Sequence, residues 1–96
     1  MLTSDNQKDS NEQVWTIYIV RCSDDSLYTG ITNDLERRIQ EHNDNSKNSK
    51  SAKYTRARQP VILAYQEKAQ DRATASRREY QIKQLSRSEK LKLCSN

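Results

Sequence analysis

Residues 14–22, Val-Trp-Thr-Ile-Tyr-Ile-Val-Arg-Cys, constrain this chain more than any other stretch. They are dense in β-branched and aromatic side chains, which fit a pleated, half-buried surface. Such a strand needs partners. The turn cluster Ser23-Asp24-Asp25-Ser26 follows at once, and Leu27–Thr32 (LYTGIT) is strand-like again, so the two runs read as a hairpin. A third strand is expected at 61–66 (VILAYQ), after Pro60.

Helices fill the intervals. Asn33 is placed to cap a helix running to His42 or Asn43, with Glu36 three residues on in a capping-box pattern and an apolar stripe of Leu35, Ile39 and His42. Asp71 is a plausible N-cap for a helix over about 72–85, and Ser86 with Glu89 forms a capping box for a final helix over about 87–93. Residues 44–58 read as a long loop with five basic residues, Lys47, Lys50, Lys53, Arg56 and Arg58, after the single acid Asp44. The order ββαβαα gives an α+β fold with a small three-stranded antiparallel sheet flanked by helices.

Composition sets the frame. With 96 residues, 32% hydrophobic and 31% charged, the chain suits one domain with one modest core. Residues 1–13 are polar and net acidic, expected as a disordered tail ahead of a single domain over 14–93. The net charge is +4, so the body beyond that tail is more basic still, which points to a polyanion such as nucleic acid. Cys22 and Cys94 have no metal-ligand spacing, and no membrane-length apolar run exists, making a reducing cytoplasm the default; a basic domain with no evident apolar patch is expected to be a monomer.

Two charges sit on core-facing stripes. Arg38 borders Leu35 and Ile39, and Glu79 lies between Ala75 and Ile82. A carboxylate there needs a partner. Either the two form a structural ion pair, or they belong to an active site in which the carboxylate holds a metal ion and the arginine faces a phosphate. Gly30, the only glycine, lies inside a strand, a position that often marks close approach of a backbone or ligand, with a plain bulge as the alternative. A two-residue loop at Asp24-Asp25 would put Tyr18 opposite Ile31 and turn Tyr18 and Tyr28 to opposite faces; an odd-length loop or one bulge puts them on one face. Both remain open at this level.

Thr16-Ile17-Tyr18, Tyr28-Thr29-Gly30, Arg38 and His42 on the next helix, and Glu79 on a later one together resemble the GIY-YIG nuclease superfamily over residues 14–85, and most of all its small stand-alone bacterial members. The resemblance implies a metal-dependent endonuclease acting on DNA, with RNA the other candidate, in repair or on structured DNA. It implies that Glu79 holds a single Mg²⁺ or Mn²⁺, that Arg38 binds the scissile phosphate, that Tyr18 and Tyr28 position or deprotonate the attacking water, and that His42 belongs to the same catalytic set. Nucleic-acid contacts are expected from Gly30, Lys47, Lys50, Lys53, Arg56, Arg58 and Lys83, with Tyr54 placed either to stack on a base or to pack. Two departures from the family pattern are visible. One Gly and one Ile of the name motifs are replaced, and no Asn follows the glutamate helix before Asn96; Lys83, one turn after Glu79, can substitute electrostatically. The alternative is a nucleic-acid-binding module with little turnover. The missing Asn and the lack of the separate DNA-binding domain that larger relatives carry favour that alternative, and a protein partner that supplies targeting is a further expectation.

Overall fold

The computed structural model describes residues 14–44, 46 and 50–95. The expected tail over 1–13 and Lys47 lie outside the described residues. Strand β1 (Trp15–Arg21) is central, with β2 (Leu27–Thr32) and β3 (Ile62–Ala69) antiparallel on either side, in the order β2-β1-β3. Helix α1 (Leu35–His42) follows β2. Helix α2 (Lys53–Arg56) is one turn inside the expected loop, α3 (Arg72–Lys83) follows β3, and α4 (Arg87–Cys94) closes the chain. The α+β class and the three-stranded antiparallel sheet are as the sequence implied.

The hairpin turn has three residues. Asp25 N–H donates to the Cys22 carbonyl at 2.9 Å, and Cys22 N–H donates to the Ser26 carbonyl at 2.8 Å. Asp25 sits at φ 72, in the left-handed region that Asp tolerates better than most residues. This is the type I turn plus left-handed residue that closes three-residue hairpins. Tyr18 therefore pairs with Gly30, and Val20 with Tyr28. Both tyrosines point to one face, because residues two apart on a strand share a face.

β1 is buried on both sides. Ile17 and Ile19 pack with Ala75 and Ile82 of α3, joined by Trp15, Leu93 and Cys94. Tyr18 and Val20 pack on the other face with Cys22 and Val61, under Leu35 and Ile39 of α1. A strand covered on both faces needs apolar residues at consecutive positions, which accounts for the unbroken run at its centre.

Several boundaries differ from expectation. Helix α1 is capped by Asp34, whose side chain accepts from Arg37 N–H at 3.2 Å, rather than by Asn33 with Glu36. Strand β3 spans 62–69 rather than 61–66, since β1 offers it partners as far as Trp15 opposite Ala69. It carries a register shift between Ile19 and Val20, which pair with Tyr65 and Leu63. Asp71 caps α3 and the Ser86–Glu89 capping box is formed, both as expected, though α3 ends at Lys83 rather than 85.

Candidate active site

Tyr18 lies at the centre of the α1 face, 1% exposed. Its ring crosses directly over Gly30: a Cβ at Gly30 would stand 2.6 Å from the Tyr18 hydroxyl oxygen and 2.7 Å from Cζ. Gly30 has no positive φ, so the strand geometry alone would accept alanine. What closely approaches Gly30 is therefore the Tyr18 ring, and the glycine is itself buried rather than presented to a ligand.

Helix α1 supplies the next two groups, one turn apart. His42 is fully buried, with Nε2 2.7 Å from the Tyr18 hydroxyl and Nδ1 2.7 Å from Thr55 Oγ1 of α2. Tyr28 stands edge-on to the same imidazole at 5.4 Å between ring centroids. The Arg38 guanidinium lies close enough to the Tyr18 hydroxyl for its charge to favour the phenolate. Its Nη1 also donates to Glu41 Oε1 at 2.8 Å and to the Lys50 carbonyl at 2.9 Å. Burial pushes the Tyr18 phenol up to about 12, against the opposing pull of Arg38. Burial and the nearby Arg38 charge push His42 down to about 4. Desolvation disfavours the charged form in both, so the resting pair is a neutral phenol beside a neutral imidazole.

Glu79 approaches from α3. It is half-buried and paired with Lys83 Nζ at 3.1 Å, and its charge reaches Tyr18, where it opposes ionisation. The structural ion pair between Arg38 and Glu79 is not formed, because each takes the nearest opposite charge on its own helix, Glu41 and Lys83. Among the described residues no group of three or more His, Cys, Asp or Glu comes together. Glu79 alone fits a hard, hydrated cation that takes its remaining oxygens from water and phosphate, and does not suit a soft or protein-enclosed metal.

The basic segment divides. Lys50 and Lys53 are exposed, while Arg56 donates to Ser51 Oγ and the Ser51 carbonyl. Arg58 is committed inwardly: it pairs with Asp24 at 3.0 Å, donates to the Tyr54 carbonyl at 2.8 Å and lies 3.9 Å from the centroid of the Tyr54 ring. Tyr54 also stacks on Tyr28 at 5.9 Å. Of the two roles expected for Tyr54, packing is the one this arrangement uses. Lys83 is exposed and pairs with Glu79. Sequence reasoning missed Thr55 and Glu41. The spacing of Glu41, three residues after Arg38 on a helix, was a usable signal; Thr55 had none.

The family model for the GIY-YIG catalytic domain matches residues 14–92, from the start of β1 almost to the end of α4. The chain belongs to the GIY-YIG family. This is a nuclease family, and nucleic acid is the substrate class that goes with it. The GIY-YIG domain is 53% identical over 78 residues to a UPF0213 protein of Desulfotalea psychrophila, covering 81% of this chain and 68% of that one. It is 52% identical over 77 residues to a UPF0213 protein of Staphylococcus haemolyticus, covering 80% and 89%. It also resembles the solution NMR structure of a UPF0213 protein from Bacillus halodurans, with a TM-score of 0.53 and 41% identity over 85% of this chain and 83% of the other. No helix among the described residues is long and apolar enough to cross a membrane.

Proposed function

We propose that this GIY-YIG domain is a metal-dependent endonuclease that hydrolyses DNA phosphodiesters, with Tyr18, Tyr28, Arg38, His42 and Glu79 as its catalytic set. The observation that carries the reading is the Tyr18–His42 contact at 2.7 Å, with Arg38 beside it. A phenol held between a neutral imidazole and a guanidinium suits proton transfer next to a phosphate.

Arg38 binds the scissile phosphate through its fork of donors and neutralises charge that develops there. The attacking water gives its proton to the Tyr18 oxygen as Tyr18 passes its own proton to His42 Nε2. The new P–O bond forms, the bond to the leaving oxygen breaks, that oxygen takes a proton from solvent, and His42 returns its proton to the Tyr18 oxygen as Tyr18 releases one to solvent. The two proton movements are concerted. Burial disfavours both the phenolate and the imidazolium, so neither ion forms ahead of the other. Tyr28 packs edge-on against His42 and confines the imidazole. Glu79 would hold a Mg²⁺ or Mn²⁺ ion, which would supply Lewis-acid charge for phosphodiester hydrolysis. Lys50 and Lys53 are placed for backbone contacts on DNA or RNA. A cytoplasmic monomer directed to its target by a partner protein, in repair or on structured DNA, is the setting this small basic domain suits.

A second reading, a binding module with little turnover, draws on one observation: Lys83 already occupies the Glu79 carboxylate at 3.1 Å. Nicking of supercoiled, single-stranded and branched DNA with Mg²⁺ or Mn²⁺ separates the two. The nuclease reading expects metal-dependent cleavage that Glu79→Ala and Arg38→Ala both abolish. Cleavage that persists unchanged in Glu79→Ala overturns it, and salt-sensitive binding with no cleavage by the wild type favours the second reading.

A further inference from the structure

The hydrogen-bond chain behind Tyr18 has a direction that its distances alone do not state. Tyr18 oxygen and His42 Nε2 are 2.7 Å apart, His42 Nδ1 and Thr55 Oγ1 are 2.7 Å apart, and Thr55 Oγ1 lies 3.1 Å from the Ala52 carbonyl. His42 and Thr55 are fully buried, so the imidazole and the Thr55 hydroxyl take their partners from the protein. No buried side-chain nitrogen or oxygen among the described residues lacks a partner.

Two proton arrangements satisfy a neutral imidazole. In the first, Tyr18 O–H donates to Nε2, Nδ1–H donates to Thr55 Oγ1, and the Thr55 hydroxyl donates to the Ala52 carbonyl. In the second, everything reverses: Thr55 donates to Nδ1, and Nε2–H donates to the Tyr18 oxygen. The nearby Arg38 guanidinium, whose charge is felt at that oxygen, has donors and no acceptor. The reversed arrangement therefore leaves the phenol proton with no protein acceptor. It also forgoes the Thr55–Ala52 bond. The Ala52 carbonyl can only accept, and takes Arg56 N–H at 2.9 Å with its other lone pair.

We propose that Thr55 is a positioning residue that holds His42 as the Nδ1–H tautomer, keeping the Nε2 lone pair on the Tyr18 hydroxyl. The single helical turn α2 then has a purpose beyond packing. It presents the Thr55 oxygen to the imidazole while its own N-terminal carbonyl, Ala52, takes the Thr55 proton and so fixes which way the oxygen accepts. His42 lowered to about 4 is consistent with a ring that stays neutral and unprotonated at Nε2. The bearing on catalysis rests on the nuclease reading; the tautomer itself does not.

The test uses the fact that the chain has one histidine. Long-range ¹H–¹⁵N correlation of the uniformly labelled protein at pH 7 reads the imidazole directly. The wild type is expected to carry its proton on Nδ1, and a proton on Nε2 overturns the proposal. Thr55→Ser is expected to keep the wild-type tautomer. Thr55→Val, of similar shape and without the oxygen, is expected to move the tautomer ratio toward Nε2–H by tenfold or more, and an unchanged Nδ1–H form overturns the role given to Thr55. Should Thr55→Val not fold, Thr55→Cys, a weak acceptor, replaces it with the same two outcomes. On cleaved DNA, Thr55→Val is expected to lower kcat on the order of 10- to 100-fold with KM unchanged, and Thr55→Ser to restore it. Failure of the wild type to cleave DNA refutes the nuclease reading alone, since the tautomer spectra need no turnover.

Discussion

Gly30→Ala is the sharpest probe of how this site is built. The added Cβ would lie 2.6 Å from the Tyr18 oxygen and 2.7 Å from Cζ, well inside ordinary contact distance. The backbone at position 30 has no positive φ, so no conformational strain enters. The Tyr18 ring must retreat by most of an ångström. It is rigid, nearly fully buried, and tied to His42 through its hydroxyl. Overpacking of this kind costs about 1–3 kcal/mol. Loss of the Tyr18–His42 bond adds about 1–3 kcal/mol, because both partners are buried. Replacing a strand glycine returns about 0.5–1 kcal/mol. A net destabilisation of about 3 kcal/mol is expected, within a range of about 1–5 kcal/mol, and about 3 kcal/mol is roughly 12–24 °C in Tm for a domain this small. Urea denaturation of Gly30→Ala, Tyr18→Ala and the double variant reads it. In the Tyr18→Ala background the clash is gone, and Gly30→Ala is expected to be neutral or stabilising by up to about 1 kcal/mol. A cost that is the same in both backgrounds refutes the steric account, and so does a stabilised single variant.

Protonation of His42 ties stability to pH. Its folded value of about 4 lies below the ordinary 6.5, so the unfolded chain binds the proton more readily; stability is full above 6.5 and falls as pH drops toward 4. About 2 kcal/mol is expected to be lost between pH 7 and pH 5, with the slope absent in His42→Gln, and a flat wild-type profile in urea denaturation contradicts it. Lys83→Ala is expected to tighten Mn²⁺ binding several-fold by electron paramagnetic resonance, because the ammonium competes for the Glu79 carboxylate at 3.1 Å; unchanged or weaker binding counts against Glu79 as the ligand. Replacing Lys50 and Lys53 by Gln is expected to lower the salt slope of DNA binding by about 1–2, while Arg58→Gln, which loses Asp24 and Tyr54, lowers stability with little change in slope. A slope unmoved by the lysines removes that segment from the interface.

Much of the fold was legible because it is encoded locally. The Ser86–Glu89 capping box, the Asp71 cap and the central strand each announce themselves within a few residues. The cap of α1 was misplaced by one position, since Asn33 and Asp34 are adjacent Asx residues and the charged one suits the helix N-terminus better. Strand β3 was read short because Glu67 and Lys68 are poor strand formers, and pairing with β1 carries the strand past them. The site was less legible. Arg38 and Glu79 were found by their place on apolar stripes, but their partners were not: local i+3 and i+4 neighbours took them before each other. Thr55 sits in a polar segment with no periodicity, and only the folded chain brings it to the imidazole.

The turn Ser23–Asp25 has a consequence for how this chain can change. Side chains alternate along a strand, so the turn's length acts as a parity setting for everything downstream in β2. Removing one residue, or adding one, would rotate Tyr28 and Gly30 away from Tyr18 and bring Thr29 and Leu27 round in their place. Two residues more or fewer would restore them. Insertions and deletions here are therefore expected to be accepted in pairs, or singly only where a new bulge in β2 compensates, and the left-handed Asp25 is the hinge on which that count rests.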